Sequence, residues 1–163
     1  MSTPESDRSS PANDFDPCEA LTAIIVGAAR ADGSILPCEA DRVDHTLSTL
    51  TIFRGHSAEA RRAVLERVVS TMRSGDAGLV ITRVAERLAP DLRGTAFAIA
   101  VDVLLADGRL REPERHFMEE LRRLLQVRRS FAHKVLDVLR TKNFAWSPAA
   151  SKAEVTPPEL IQT

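Results

Sequence analysis

No tyrosine occurs in the 163 residues, and six phenylalanines with one tryptophan are all the aromatics the chain has. Proteins that hold single-stranded nucleic acid stack bases on aromatic platforms, and this sequence has too few to build one. A surplus of charge is missing as well. The 22 Lys and Arg stand against 23 Asp and Glu, a formal net charge of −1, which argues against a nucleic-acid partner bound through counterion release and against a polybasic membrane anchor. Long hydrophobic runs are also absent. The stretch Ala23 to Ala29 falls far short of the roughly 20 residues that span a bilayer, so no membrane insertion is expected. Cysteine is scarce: Cys18 and Cys38 match no CxxC or metal-finger spacing, and residues 1–15 lack the basic start and apolar core of a secretory leader. Two reduced thiols and a cytoplasmic location follow as expectations.

What the sequence does contain is one pattern written twice. Ala31-Asp32-Gly33-Ser34-Ile35 is followed by Glu39, and Ala106-Asp107-Gly108-Arg109-Leu110 by Glu114, with Asp107 lying 75 residues after Asp32. Each copy has an apolar segment before it and a proline-opened amphipathic segment after it, as a duplicated supersecondary unit would.

Helical periodicity runs through the rest of the chain. Asp16-Pro17-Cys18-Glu19 has the look of a capping box with proline at the first helical position. The first helix then carries Leu21, Ile24, Ile25, Ala28 and Ala29 at helical spacing, and Gly33 supplies a left-handed residue to end it. Pro37 opens the second helix (Val43, Leu47, Leu50), which breaks at Arg54-Gly55-His56. Ser57 caps the third, whose stripe is Ala63, Val64, Leu65, Val68, Val69 and Met72. After Gly75 and Gly78 the fourth carries Leu79, Val80, Val84 and Leu88 up to Pro90. The fifth, roughly Asp91 to Ala106, is apolar nearly all round and is expected to be the central helix. Pro113 opens the sixth (Phe117, Met118, Leu121, Leu124, Leu125), and the seventh carries Phe131, Val135, Leu136, Val138 and Leu139. The expectation is an all-α fold: a compact bundle of about seven helices built around a duplicated helix–AspGly turn–helix unit. Residues 1–15 form a disordered arm, 16–145 the helical domain, and 146–163 a disordered tail, with Phe144 and Trp146 offering apolar surface to the core.

The carboxylates of the repeat admit two readings. Asp-Gly-x-aliphatic-x-x-x-Glu matches the second half of an EF-hand loop, but the first half would place Ala28 and Arg30, or Val103 and Leu105, where calcium needs oxygen ligands, so a standard EF-hand is rejected. In the structural reading, Asp32 and Asp107 accept backbone N–H groups of their turns, and Glu39 and Glu114 sit in a first helical turn where negative charge is favoured. In the ligand reading, turn Asp and helix Glu converge on a divalent cation bound by oxygen. Asp102 is a third kind of carboxylate. Ionised within an apolar helix it needs a cation, an arginine or a backbone N–H, and either an internal ion pair or a ligand contact would satisfy it. The first copy has Gly27 at that position.

The histidines His45, His56, His116 and His133 show no paired ligand spacing, so zinc is disfavoured relative to calcium or magnesium. Arg61-Arg62, Arg122-Arg123 and Arg128-Arg129 read as solvated faces or, for the last two pairs together with Lys134, as a docking patch for a phosphate group or an unknown protein partner. No phosphate loop, nucleophile elbow or Cys/His dyad occurs, and no enzyme activity is expected.

At its twin Asp-Gly turns the sequence resembles the TerB-like tellurite-resistance family. Thr51-Ile52-Phe53-Arg54-Gly55, the run Thr95 to Asp102 leading into Ala106-Asp107-Gly108, and Thr141-Lys142-Asn143 resemble family features in order, over roughly residues 17–145. The resemblance implies a compact bundle of about seven helices, a role in the response to tellurite and other chemical stress, and acidic residues that bind metal. By position these are Asp32, Glu39, Asp102, Asp107 and Glu114. Leu36 departs from the Ser, Thr or Asp common before the proline, and Pro37-Cys38-Glu39 and Glu112-Pro113-Glu114 each carry one acidic residue after the proline where two are common, which lowers the local negative charge. Two functions from different classes are therefore expected: a non-enzymatic stress-response module whose acidic surface takes a divalent cation, or a metal-free helical interaction scaffold using the Arg-rich face of the sixth and seventh helices.

Overall fold

Proline sets where several helices begin, because its fixed φ suits the first turn and its missing N–H is not needed there. In the computed structural model, which describes residues 16–31, 37–106 and 108–143 and only the backbone of 37–42, Pro17, Pro37 and Pro90 are the first residues of helices. Among the described residues the regular structure is α1 (Pro17–Ala29), α2 (Pro37–Thr49), a 3-10 turn (Thr51–Phe53), α3 (Ala58–Ser74), α4 (Ala77–Arg87), α5 (Pro90–Leu104), α6 (Glu112–Leu124) and α7 (Arg129–Lys142), with no strand. The all-α bundle of seven helices is thus as expected. The arm 1–15, the tail 146–163, Phe144, the side chain of Cys38, and the turn residues 32–36 and Asp107 lie outside what is described.

The end of α1 and the end of α5, and both bounds of α2 and α6, coincide when the chain is shifted by the 75 residues that separate the Asp-Gly turns. Arg30 and Leu105 are the C-cap residues, and their N–H groups bond the carbonyls of Val26 and Val101 at 3.1 and 2.9 Å. Gly108 follows in the left-handed region (φ 77°) and donates to Leu105 O at 2.8 Å, closing the second turn. Ala28 and Val103, which would open an EF-hand loop, are helical, so neither copy starts such a loop there.

The central helix is α1, not α5. Nine residues of α1 are buried, Cys18, Ala20 to Val26 and Ala28, against five in α5. The physical reason is that α1 carries no charge between Glu19 and Arg30, while Asp91, Thr95 and Asp102, at i, i+4 and i+11, keep one side of α5 towards water. Around α1 pack α3, α4 and α5, with α2 and α6 closing the shell. Helices α5 and α7 run side by side in the same direction: Gly94 faces Phe131 at one end, and Asp102 meets Lys142 at the other. Between them α6 returns, and Arg93 Nη1 donates to Gln126 Oε1 at 2.9 Å across its far end.

The caps differ in detail from the sequence expectation. Ser57 does cap α3, accepting Ala60 N–H at 3.1 Å. Asp16 precedes α1 but makes no side-chain cap bond, and Glu19 pairs with Arg67 of α3 at 3.2 Å instead. Asp76 caps α4 through Gly78 and Leu79 N–H. In α3 Ala63 is exposed, and in α4 the buried residues are Ile81, Val84 and Ala85 while Leu79 faces out. The end of α6 is a Schellman motif: Val127 N–H bonds Arg122 O and Gln126 N–H bonds Arg123 O, both at 3.0 Å, with Gln126 left-handed at φ 55°.

Phe97 of α5 is the largest side chain among those sealed from water, at 1% exposure. Phe97→Ala is expected to lower unfolding stability by about 3–5 kcal/mol, read as a reduced midpoint with unchanged slope in urea denaturation.

Candidate functional site

Asp102 sits near the end of α5, three residues before its C-cap, on the side that faces the end of α7. Lys142, the last residue of α7, places Nζ 2.9 Å from Oδ1 and 2.7 Å from Oδ2, and Asn143 Nδ2 donates to Oδ1 at 3.0 Å. The carboxylate is about one-third exposed. Its cation is thus a lysine rather than an arginine, and it comes from 40 residues away. Helix termini explain the arrangement: a lysine in the last turn of α7 interacts favourably with the negative helix end, and from there it reaches the acid on α5. Gly108, in the second Asp-Gly turn, lies close enough to the same helix end that a Cβ there would be 3.4 Å from Asn143 O. The latch and the second turn therefore share one corner of the bundle.

Glu114 lies at the third position of α6 and is buried at 8% exposure. Its Oε2 accepts Arg111 N–H at 2.6 Å, and Oε1 lies 3.6 Å from the Arg111 guanidinium. An arginine side chain has no acceptor, so only the carboxylate half of a capping box is present here. This is the structural role read from the sequence for that position. Asp32, Asp107 and the side chain of Glu39 lie outside the described residues, so of the five acidic candidates only Asp102 and Glu114 have described contacts. Among the described residues no group of three His, Cys, Asp or Glu gathers as a metal cage. Gly27, the counterpart of Asp102, has a packing role: a Cβ there would come within 2.7 Å of Ile81 Cδ1 and 3.2 Å of Phe117 Cζ.

The basic patch is only partly available for docking. Arg122 donates to Glu119 at 3.0 and 2.8 Å and to Val127 O at 2.9 Å, so it secures the end of α6 and is mostly buried. Arg123 is exposed and reaches the same Glu119 at 3.5 Å. Arg128, Arg129 and Lys134 are exposed, as are Phe131 at 43% and Val138 at 66%. Phe131, Val135 and Val138 recur at helical spacing and form a strip along α7, a feature whose apolar letters were visible in sequence but whose exposure was not. Cys18 is buried, with Sγ 3.8 Å from Ile52 O. Burial, and then the charge of Asp16, push its thiol up from the ordinary range, so it stays protonated.

The scan against known families matches residues 18–135 to the model for tellurite resistance protein TerB. The chain belongs to the TerB family. No curated protein and no solved structure matches it. The TerB match runs from the first residues of α1 into the middle of α7, so it takes in both Asp-Gly turns, Asp102 and Glu114, and ends before Lys142.

In this TerB domain the hydrogen bonds from Arg122, then its charge and that of Arg123, hold the Glu119 carboxyl at about 2 against an ordinary 4.5. A pKa lower in the folded than in the unfolded chain gives stability that is complete above 4.5 and is lost as pH falls from there towards 2. Glu119 is 39% exposed, so solvent screens the pair and the effect is small. Stability measured by chemical denaturation should fall less steeply for Glu119→Gln than for the parent over that acid window, and the two curves should run parallel above it.

Proposed function

We propose that this protein is a non-enzymatic stress-response module of the tellurite-resistance type that acts by binding, with a protein partner docked along the exposed edge of α7 beside α5. The observation that carries the proposal is the strip Phe131, Val135 and Val138, whose two outer members are exposed and which is bordered by the cationic side chains of Arg128 and Lys134. An apolar strip with a positive border suits an amphipathic partner segment whose apolar residues are flanked by acids. The docking face is narrower than the Arg-rich surface of α6 and α7 taken whole, because Arg122 is committed to Glu119 and Val127. Crosslinking and co-purification should lose the partner in a Phe131→Ser/Val138→Ser variant with unchanged helical circular dichroism. Undiminished recovery with that variant overturns the α7 face.

A second reading is the binding of a divalent cation such as calcium or magnesium by acidic residues of the Asp-Gly turns, which at Asp102, beside the second turn, would compete with Lys142 for both carboxylate oxygens. The residues that would take the cation are Asp32, Glu39 and Asp107, with Asp102 joining once Lys142 is displaced; Glu114 has one oxygen engaged in capping α6. A cation bound there would supply charge neutralisation and tie the turn to the neighbouring helix ends. At about 100 times its dissociation constant it adds roughly 2.7 kcal/mol, several degrees of melting temperature for a domain of this size. Melts in calcium and magnesium should rise for the parent and stay level for Asp32→Asn/Asp107→Asn. A parent melt that neither metal moves, or an equal rise in the variant, rules the site out.

A further inference from the structure

A cavity of about 260 Å³ opens where the end of α1 meets α3, α4 and α6. Its walls are largely apolar, with Met72, Ile81, Phe117 and Leu124 among them, and Arg30 and Glu120 are its charged side chains. Arg30 is half-buried, and its Nη1 is shut off from water with no hydrogen-bond partner among the described residues. A guanidinium nitrogen in that state is unfavourable, because it has left water without gaining an acceptor. The C-cap position of α5 that corresponds to Arg30 is Leu105, an apolar residue at 1% exposure. The same helix end, on the same turn pattern, is closed there by a buried leucine.

We propose that this cavity is a binding site for a small carboxylate with an apolar body, its anionic head on the Arg30 guanidinium and its body against Met72, Ile81, Phe117 and Leu124. A carboxylate accepts parallel N–H groups of a guanidinium fork, and a small swing of the Arg30 side chain towards the cavity would give Nη1 the acceptor it lacks. The ligand carries one negative charge, because one arginine faces it and the exposed Glu120 on the wall repels a second. Its size follows from the volume: a dry cavity of about 150 Å³ takes benzene, so 260 Å³ takes a molecule of about ten non-hydrogen atoms. The site lies on α1, α3, α4 and α6 and involves neither the α7 strip nor the Asp102 latch.

Octanoate has that size and charge, and octanol is its uncharged counterpart. Calorimetric titration of the full chain, below the micelle threshold of the fatty acid, should give octanoate at least about tenfold tighter than octanol, as charge-assisted hydrogen bonds do. Arg30→Gln should abolish that preference while leaving octanol within about twofold. Glu120→Gln, on an exposed position that folding does not depend on, should tighten octanoate several-fold and leave octanol unchanged. Equal binding of the two probes, no binding of either, or retention of the octanoate preference by Arg30→Gln overturns the proposal. Where Arg30→Gln fails to fold, the Glu120→Gln titration decides alone, and an unchanged octanoate affinity overturns it.

Discussion

The constraint on which the rest of the bundle depends is that α1 has to be covered on every side. Its sequence from Ala20 to Ala29 carries no charge, and each apolar side chain left in water would cost on the order of 1.5–3 kcal/mol. Two or three helices cannot cover a cylinder all round, so α3, α4 and α5 pack directly on it and α2 and α6 complete the shell. Even its one polar residue in this stretch conforms: Thr22 is fully buried and turns its hydroxyl back to Cys18 O at 2.7 Å. Gly27 belongs to the same constraint, since the absence of a side chain there lets Ile81 and Phe117 approach the helix.

With α1 central, the charged residues of the outer helices do mechanical work at helix ends. Glu114 holds the start of α6, Arg122 holds its finish, Asp76 starts α4, and Asp102 with Lys142 ties the end of α5 to the end of α7. Individually such contacts are modest, on the order of 1 kcal/mol when partly exposed. Together they fix where each helix stops, and hence which side chains reach the shared corners. A near-neutral chain with many charges suits this pattern, because each of these ends consumes a charge of either sign against a backbone group or an opposite partner.

The helix count and most helix starts were legible in the sequence because proline and Ser57 act through their own backbone neighbourhood, within four residues. Features that depend on distant partners were not. Glu19 had the spacing for a capping box yet is drawn to Arg67, and Asp102 clearly needed a counter-charge, but nothing local pointed to Lys142 or Asn143. The Schellman motif after α6 was hidden because Gln126, not glycine, takes the left-handed position, an energetically costly choice offset by its bond to Arg93. The central helix was misassigned to α5 because apolar density within one segment says nothing of how many neighbours a fold will stack against it. Of the candidate site, the first-turn role of Glu114 was legible because it is local, whereas the burial of the Arg30 guanidinium beside the cavity depends on helices distant in sequence.

The position of α1 in the chain has a consequence for how the protein comes into being. During synthesis the most apolar helix emerges first, while α3, α4, α5 and α6, which cover it, follow one after another over the next hundred or so residues. At about 5–20 residues per second the nascent chain carries an uncovered greasy helix for several seconds, a window in which collapse with the wrong partner competes with waiting for the right one. The native fold thus favours closure once α6 has been made over stepwise assembly, and a chaperone that shields α1 until then would act at the point where this bundle is most exposed to error.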